Sequence, residues 1–99
     1  MKKTYKITAI LHSGALGTRN TPRTDGRYPL RINRVVELDT RSLVVGYPLI
    51  LDYILDENGS DYSNHYLRAS AICDWDFIFN NRIRIETTHS IYELEAIAL

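Results

Sequence analysis

The sequence predicts a small all-β protein, an antiparallel barrel or sandwich of six or seven strands, SH3-like or OB-like, with at most one short helical turn near 40–45. Three observations carry this. Apolar and polar residues alternate with a period of two along most of the chain. Turn-forming residues interrupt that alternation at short intervals, and no stretch holds a helical period for long. With 99 residues, 44% hydrophobic and 24% charged, the chain suits one domain with a modest core and lies far from disordered compositions.

The first strand runs from Lys3 to Leu11, with Tyr5, Ile7, Ala9 and Leu11 on one face and Lys6, Thr8 and Ile10 on the other. Residues 30–38 repeat the pattern, Leu30, Ile32, Arg34, Val36 and Leu38 opposing Arg31, Asn33, Val35 and Glu37. Asp39 is placed to cap a short turn through Thr40–Val45 that Gly46 ends. Residues 48–55 form the next strand, with Leu49, Leu51, Tyr53 and Leu55 on one face. Pro48 fits its first position, where no ladder donor is needed. The turn Asp56-Glu57-Asn58-Gly59-Ser60-Asp61 separates it from a strand over His65–Cys73. Trp75–Phe79 and Arg82–Thr87 flank a tight turn at Asn80-Asn81, and Thr88-His89-Ser90 reverses the chain into Ile91–Ile97.

Residues 12–29 break this economy. They form a long connection with Gly14, Gly17, Gly26, Pro22 and Pro29 and three arginines. Connections longer than about 12–15 residues without structure of their own are usually functional or disordered. A position between two strands favours function.

The net charge is zero, yet it is split. Residues 1–34 carry eight basic residues against Asp25 alone, a balance of +7, and residues 35–99 carry four against eleven acids, a balance of −7. Such asymmetry marks either a basic contact surface or an intramolecular partnership between basic and acidic parts. Arg19, Arg23, Arg27 and Arg31 recur every four residues with Arg34 following, but Pro22, Gly26 and Pro29 oppose a helix through them. In a looped chain they are candidates to converge on a phosphate, because guanidinium forks match phosphate oxygens in pairs. Ser13-Gly14-Ala15-Leu16-Gly17 offers backbone amides nearby, without the Gly-Lys-Ser/Thr of a nucleotide-binding loop. Tyr28, within the arginine series, and Tyr66, which shares a strand face with Arg68, are candidates for stacking on a nucleobase. Tyrosine is also an ordinary strand former.

Other chemistries find little support. His12, His65 and His89 lack ligand spacing, so no metal and no cofactor is expected. Cys73, the lone cysteine, excludes an internal disulfide and reads as a small core residue. The pairs Asp74/Asp76 and Glu93/Glu95 flank apolar residues and read as solvent faces. No nucleophile, base and orienter can be assembled, so an enzyme is not expected. No apolar stretch reaches the ~18 residues of a membrane span. Met1-Lys2-Lys3 is not followed by a convincing signal core, so a cytoplasmic protein without membrane contact is expected.

The C-terminal third carries a resemblance. Tyr66-Leu67-Arg68-Ala69-Ser70-Ala71-Ile72, followed after a hairpin by Ile85-Glu86-Thr87-Thr88-His89-Ser90-Ile91-Tyr92-Glu93-Leu94, is similar to an ending seen in small uncharacterised all-β proteins of bacterial phages and mobile elements. There the pattern reads R-T-S-x-V, then T-x-N-S-x-Y; this chain has Ala69 for the Thr and His89 for the Asn. The resemblance implies a small β protein carried on phage or prophage DNA and transfers no activity. Physically, Thr-x-His-Ser can satisfy its own turn through side-chain hydrogen bonds, with Tyr92 clamping the final hairpin.

Two functions follow as expectations. One is a non-enzymatic binding protein that engages a nucleotide or nucleic acid through Arg19, Arg23, Arg27, Arg31 and Arg34, with Tyr28, Tyr66 and Arg68. The other is a protein-interaction or homo-oligomeric assembly module, acting on a host protein or on further copies of itself.

Overall fold

The computed structural model describes residues 2–14, 18–79 and 81–98. Six strands, β1 (Lys3–His12), β2 (Val35–Leu38), β3 (Pro48–Leu55), β4 (Tyr66–Phe79), β5 (Arg82–Thr87) and β6 (Ser90–Ala96), pair antiparallel in chain order. The pairing of β1 with β6 closes the barrel. Because neighbours alternate in direction, the connections 13–34, 56–65 and 88–89 gather at one end. Connection 39–47 and the turn after Phe79 gather at the other.

The period-two reading places most of the core. Leu49, Leu51 and Tyr53 from β3, Ile83 and Ile85 from β5, and Tyr92 and Leu94 from β6 pack inward with Tyr5, Ile7 and Val36. Pro48 opens β3 as expected.

Strand β1 departs from simple alternation. Ile7 pairs with Leu94 but Ala9 pairs with Glu93, so Thr8 is an extra residue in the ladder. Its hydroxyl donates to the Glu93 carbonyl at 3.1 Å. Past this bulge the faces exchange: Ile10 enters the core, whereas Ala9 and Leu11 turn outward and are half-buried. Sequence alternation alone places Ile10 outside, because a bulge leaves no mark in apolar spacing.

Three further expectations are corrected. Residues 30–34 are not strand: β2 begins at Val35, and Tyr28–Arg31 form a single helical turn, α1, with Pro29 at its start. Proline fits there because a first-turn amide needs no partner. His65–Cys73 and Trp75–Phe79 are one strand, β4, kinked by a register shift between Ile72 and Asp74. An earlier shift against β3, between Arg68 and Ala71, brings Ile72 rather than Cys73 inward, so Cys73 is exposed and not in the core.

The turns follow their residues. A 3-10 turn at Thr40–Ser42 is capped by Asp39, whose Oδ1 accepts the Arg41 amide at 3.0 Å. Asp56 Oδ1 accepts the amides of Asn58 and Ser60, each at 2.9 Å, while Gly59 takes φ +83°. Thr87 Oγ1 donates to the Ser90 carbonyl (3.0 Å) and accepts its amide (3.2 Å), the self-satisfied reversal expected from Thr-x-His-Ser. Tyr92 beyond it is buried in the core.

Candidate functional site

The long connection is a strap built onto the barrel. The His12 amide donates to the Thr21 carbonyl, the Asn20 amide to the His12 carbonyl and the Arg23 amide to the Ile10 carbonyl, at 2.8–2.9 Å, extending the far half of β1. At its other end Asn33 and Arg34 bond to Ile7. Between these anchors the strap swings away from β1 and carries α1. Of the Ser13–Gly17 segment, residues 15–17 lie outside the described residues.

The loop arginines do not converge on one open point. Arg19 forms a two-pronged pair with Glu86 at 2.8 and 2.6 Å, which holds that carboxyl below its ordinary range. Arg23 is the buried member, its side chain only 4% exposed. Its guanidinium meets Asp25 at 2.6 and 3.2 Å, Ser90 Oγ at 2.8 Å and the His89 carbonyl at 3.4 Å, and lies 3.9 Å from the Tyr28 ring centre. Arg31 covers the same ring at 4.8 Å. Arg34 pairs with Glu57 at 3.0 Å and stands about equally over Tyr53 and Tyr62, at 5.1 and 5.0 Å. His65 stacks on Tyr62 at 4.2 Å.

This arrangement explains much of the charge split. Lys2–Glu37, Arg19–Glu86 and Arg34–Glu57 join the basic first third to the acidic remainder of the same barrel. Arg19, Arg23 and Arg34 therefore have carboxylate partners already. Among the described residues, Arg27 and Arg31 on and beside α1, and Arg68 on β4, have none. Tyr66 and Arg68 are both exposed, opposite Asp52 and Ile50 of β3. Among the described residues they make no hydrogen bond, ion pair or ring contact with the strap.

What the strap does create is a cleft of about 600 Å³ against the outer surface of β1. Ala9 and Leu11 form its floor, turned outward by the Thr8 bulge. Pro22, Pro29, Leu30 and Ile32 form its apolar wall, and Arg23 and Glu57 stand at its polar margins. Its size lies within the 300–1,000 Å³ range of small-ligand sites. Sequence reasoning missed these residues because it kept Leu11 inside the barrel and read Leu30 and Ile32 as strand. The available signal was Pro29-Leu30 and Ile32, apolar residues beside an otherwise polar loop. Among the described residues no three His, Cys, Asp or Glu side chains gather to hold a metal ion, and no described helix is long and apolar enough to cross a membrane. Compared with known protein families, curated proteins and solved structures, the chain has no match.

Proposed function

We propose that this protein is a non-enzymatic binding barrel whose ligand is a nucleotide seated between β1 and α1. The observation that carries the reading is the strap cleft itself: an apolar slot walled by Pro29 and Leu30 of α1, with Arg27 just before that turn and Arg31 at its end, outside the cleft lining and without a carboxylate partner among the described residues. An apolar slot accepts the flat ring of a base, and guanidinium groups suit a phosphate. A single nucleotide matches the size of the cleft better than a strand of nucleic acid, which needs a longer basic track. Relative to the sequence expectation, the cation set narrows to Arg27 and Arg31, because Arg19, Arg23 and Arg34 hold the fold. The resemblance of the C-terminal third to small proteins of phages and mobile elements fits a cytoplasmic role in sequestering such a ligand.

Native mass spectrometry at low salt, followed by calorimetric titration with mononucleotides and dinucleotides, tests this. The expected result is one ligand per barrel. Leu30→Glu should weaken binding at least about tenfold, as should Arg27→Ala with Arg31→Ala, which removes charge-assisted hydrogen bonds. Leu30 is 55% exposed, so its substitution should leave the melting temperature in place. Absence of nucleotide binding in the unmodified protein overturns the reading.

A further inference from the structure

The opposite end of the barrel carries an independent feature. Strand β4 is longer than either neighbour can cover. Its pairing with β3 ends at Pro48↔Ala71, and the last backbone bonds on that side join Ile72 to Gly46 and Tyr47. From Cys73 to Phe79 the only strand partner among the described residues is β5. The other edge is open.

That edge is chemically specific. The amides of Trp75 and Phe77 donate to the carboxylates of Asp74 and Asp76, each at 2.8 Å, so both face the open side. In a strand the carbonyl of a residue points to the same side as its amide, so the Trp75 and Phe77 carbonyls face it too. Asp74 and Asp76 are exposed, and no cation pairs with them among the described residues. The arginines nearby are engaged elsewhere, Arg19 with Glu86 and Arg84 with Glu93 and Asn20.

The same segment also displays apolar surface: Phe77 pairs with Ile83 on the face opposite the two carboxylates, and beyond it a register shift sets Phe79 opposite Arg82. Phe77 is 53%, Ile78 38% and Phe79 65% exposed, beside a shallow recess that they line with Lys3. Trp75 is fixed beneath them: its indole N–H donates to the Leu43 carbonyl at 3.1 Å, and its ring meets Phe77 edge-on at 5.7 Å. Soluble proteins blunt open edges with charge. Here the charges are confined to Asp74 and Asp76, and the apolar side chains of Phe77, Ile78 and Phe79 are left exposed.

We infer that residues 73–79 of β4 are a docking edge for an extended segment of another protein, one that alternates basic and apolar side chains. Added antiparallel or parallel to β4, such a segment gives its amides to the Trp75 and Phe77 carbonyls. Its basic side chains lie over Asp74 and Asp76, and its apolar side chains lie on the opposite face, along Trp75 and Phe77. Charge argues against a second copy of this chain as the occupant. A two-fold pairing of the edge with itself brings Asp74 and Asp76 against their own counterparts, and like charges across strands are destabilising.

The test uses a fluorescein-labelled nine-residue peptide alternating Lys and Val, with a Glu/Val peptide of the same design as control. Fluorescence anisotropy should show binding of the Lys/Val peptide alone, weakening as salt rises. Amide shifts in NMR spectra should concentrate on residues 73–79. Asp74→Lys with Asp76→Lys should weaken binding at least about tenfold, the scale for losing two charge-assisted contacts, with the melting temperature unchanged because both side chains are exposed. No binding of the Lys/Val peptide, equal binding of the Glu/Val peptide, or shifts centred elsewhere overturns the inference. So does a dimer in sedimentation velocity that Phe77→Ser with Phe79→Ser dissociates, which makes the edge a self-association surface.

Discussion

At the end of the barrel closed by α1, Tyr28, Tyr53 and Tyr62 lie under guanidinium groups, and those groups are anchored by Asp25 and Glu57. At the opposite end Phe77, Ile78 and Phe79 stand exposed beside Lys3, and among the described residues no guanidinium lies over the Phe77 or Phe79 ring. Aromatic residues occupy both ends, yet at one end the chain covers them with its own cations and at the other it does not. The difference teaches where the arginines act. A positive group over an aromatic ring is attracted to it and, when desolvated, holds it by as much as about 2 kcal/mol. The strap thus serves as a lid for the barrel, and the cleft arises where that lid bridges over β1.

This contrast can be broken most sharply at Arg23. Arg23→Ala removes a buried guanidinium with its bonds to Asp25, Ser90 and His89 and uncovers Tyr28. Urea denaturation should show a loss of about 2–3 kcal/mol, enough to separate a structural role from a ligand contact. Next comes alkaline pH. Burial pushes the Tyr92 phenol up to about 12 from its ordinary value of 10. The folded protein then holds this proton after the unfolded chain has lost it. The stability this provides is complete below pH 10 and is lost as pH rises toward 12, by about 2 kcal/mol. Tyr92→Phe should flatten that part of the stability profile.

A smaller effect is expected at Arg34, half-buried between two rings. Arg34→Ala should cost about 1–2 kcal/mol through lost stacking and packing, and should loosen the 56–65 connection in hydrogen exchange. The smallest lies at the other end. Phe77→Ser with Phe79→Ser should change stability by no more than about 0.5 kcal/mol per site, because exposed side chains contribute little to the fold. A large loss there in thermal melting would mean that these side chains support the barrel, and the contrast between the ends would fail.

The cleft and the open edge were legible to different degrees. Asp74 and Asp76 can be assigned to one strand face and Phe77 to the other from sequence alone, but not that a register shift follows Phe77 or that β3 stops short of them. The cleft residues Ala9 and Leu11 could not be found at all. Their outward turn depends on Thr8, and a threonine in a strand signals nothing unusual. The arginine series was conspicuous, but its partners were not: Arg19 finds Glu86 and Arg34 finds Glu57 across sequence distances that no local pattern spans.

What the sequence by itself determined is local in origin. Period-two alternation makes strands because successive side chains of an extended backbone face opposite ways. Asp39, Asp56, Gly59 and Thr87 make their turns because short side chains and a glycine satisfy or permit the bends beside them. Together these residues define an all-β chain of antiparallel strands, a barrel or a sandwich, and the β1–β6 pairing that closes the barrel is tertiary. The tertiary structure alone decided where alternation slips, which charges pair, which cations are left over, and which strand outruns its neighbours. Each of these depends on register between distant segments, and register is fixed by the packing of the whole barrel.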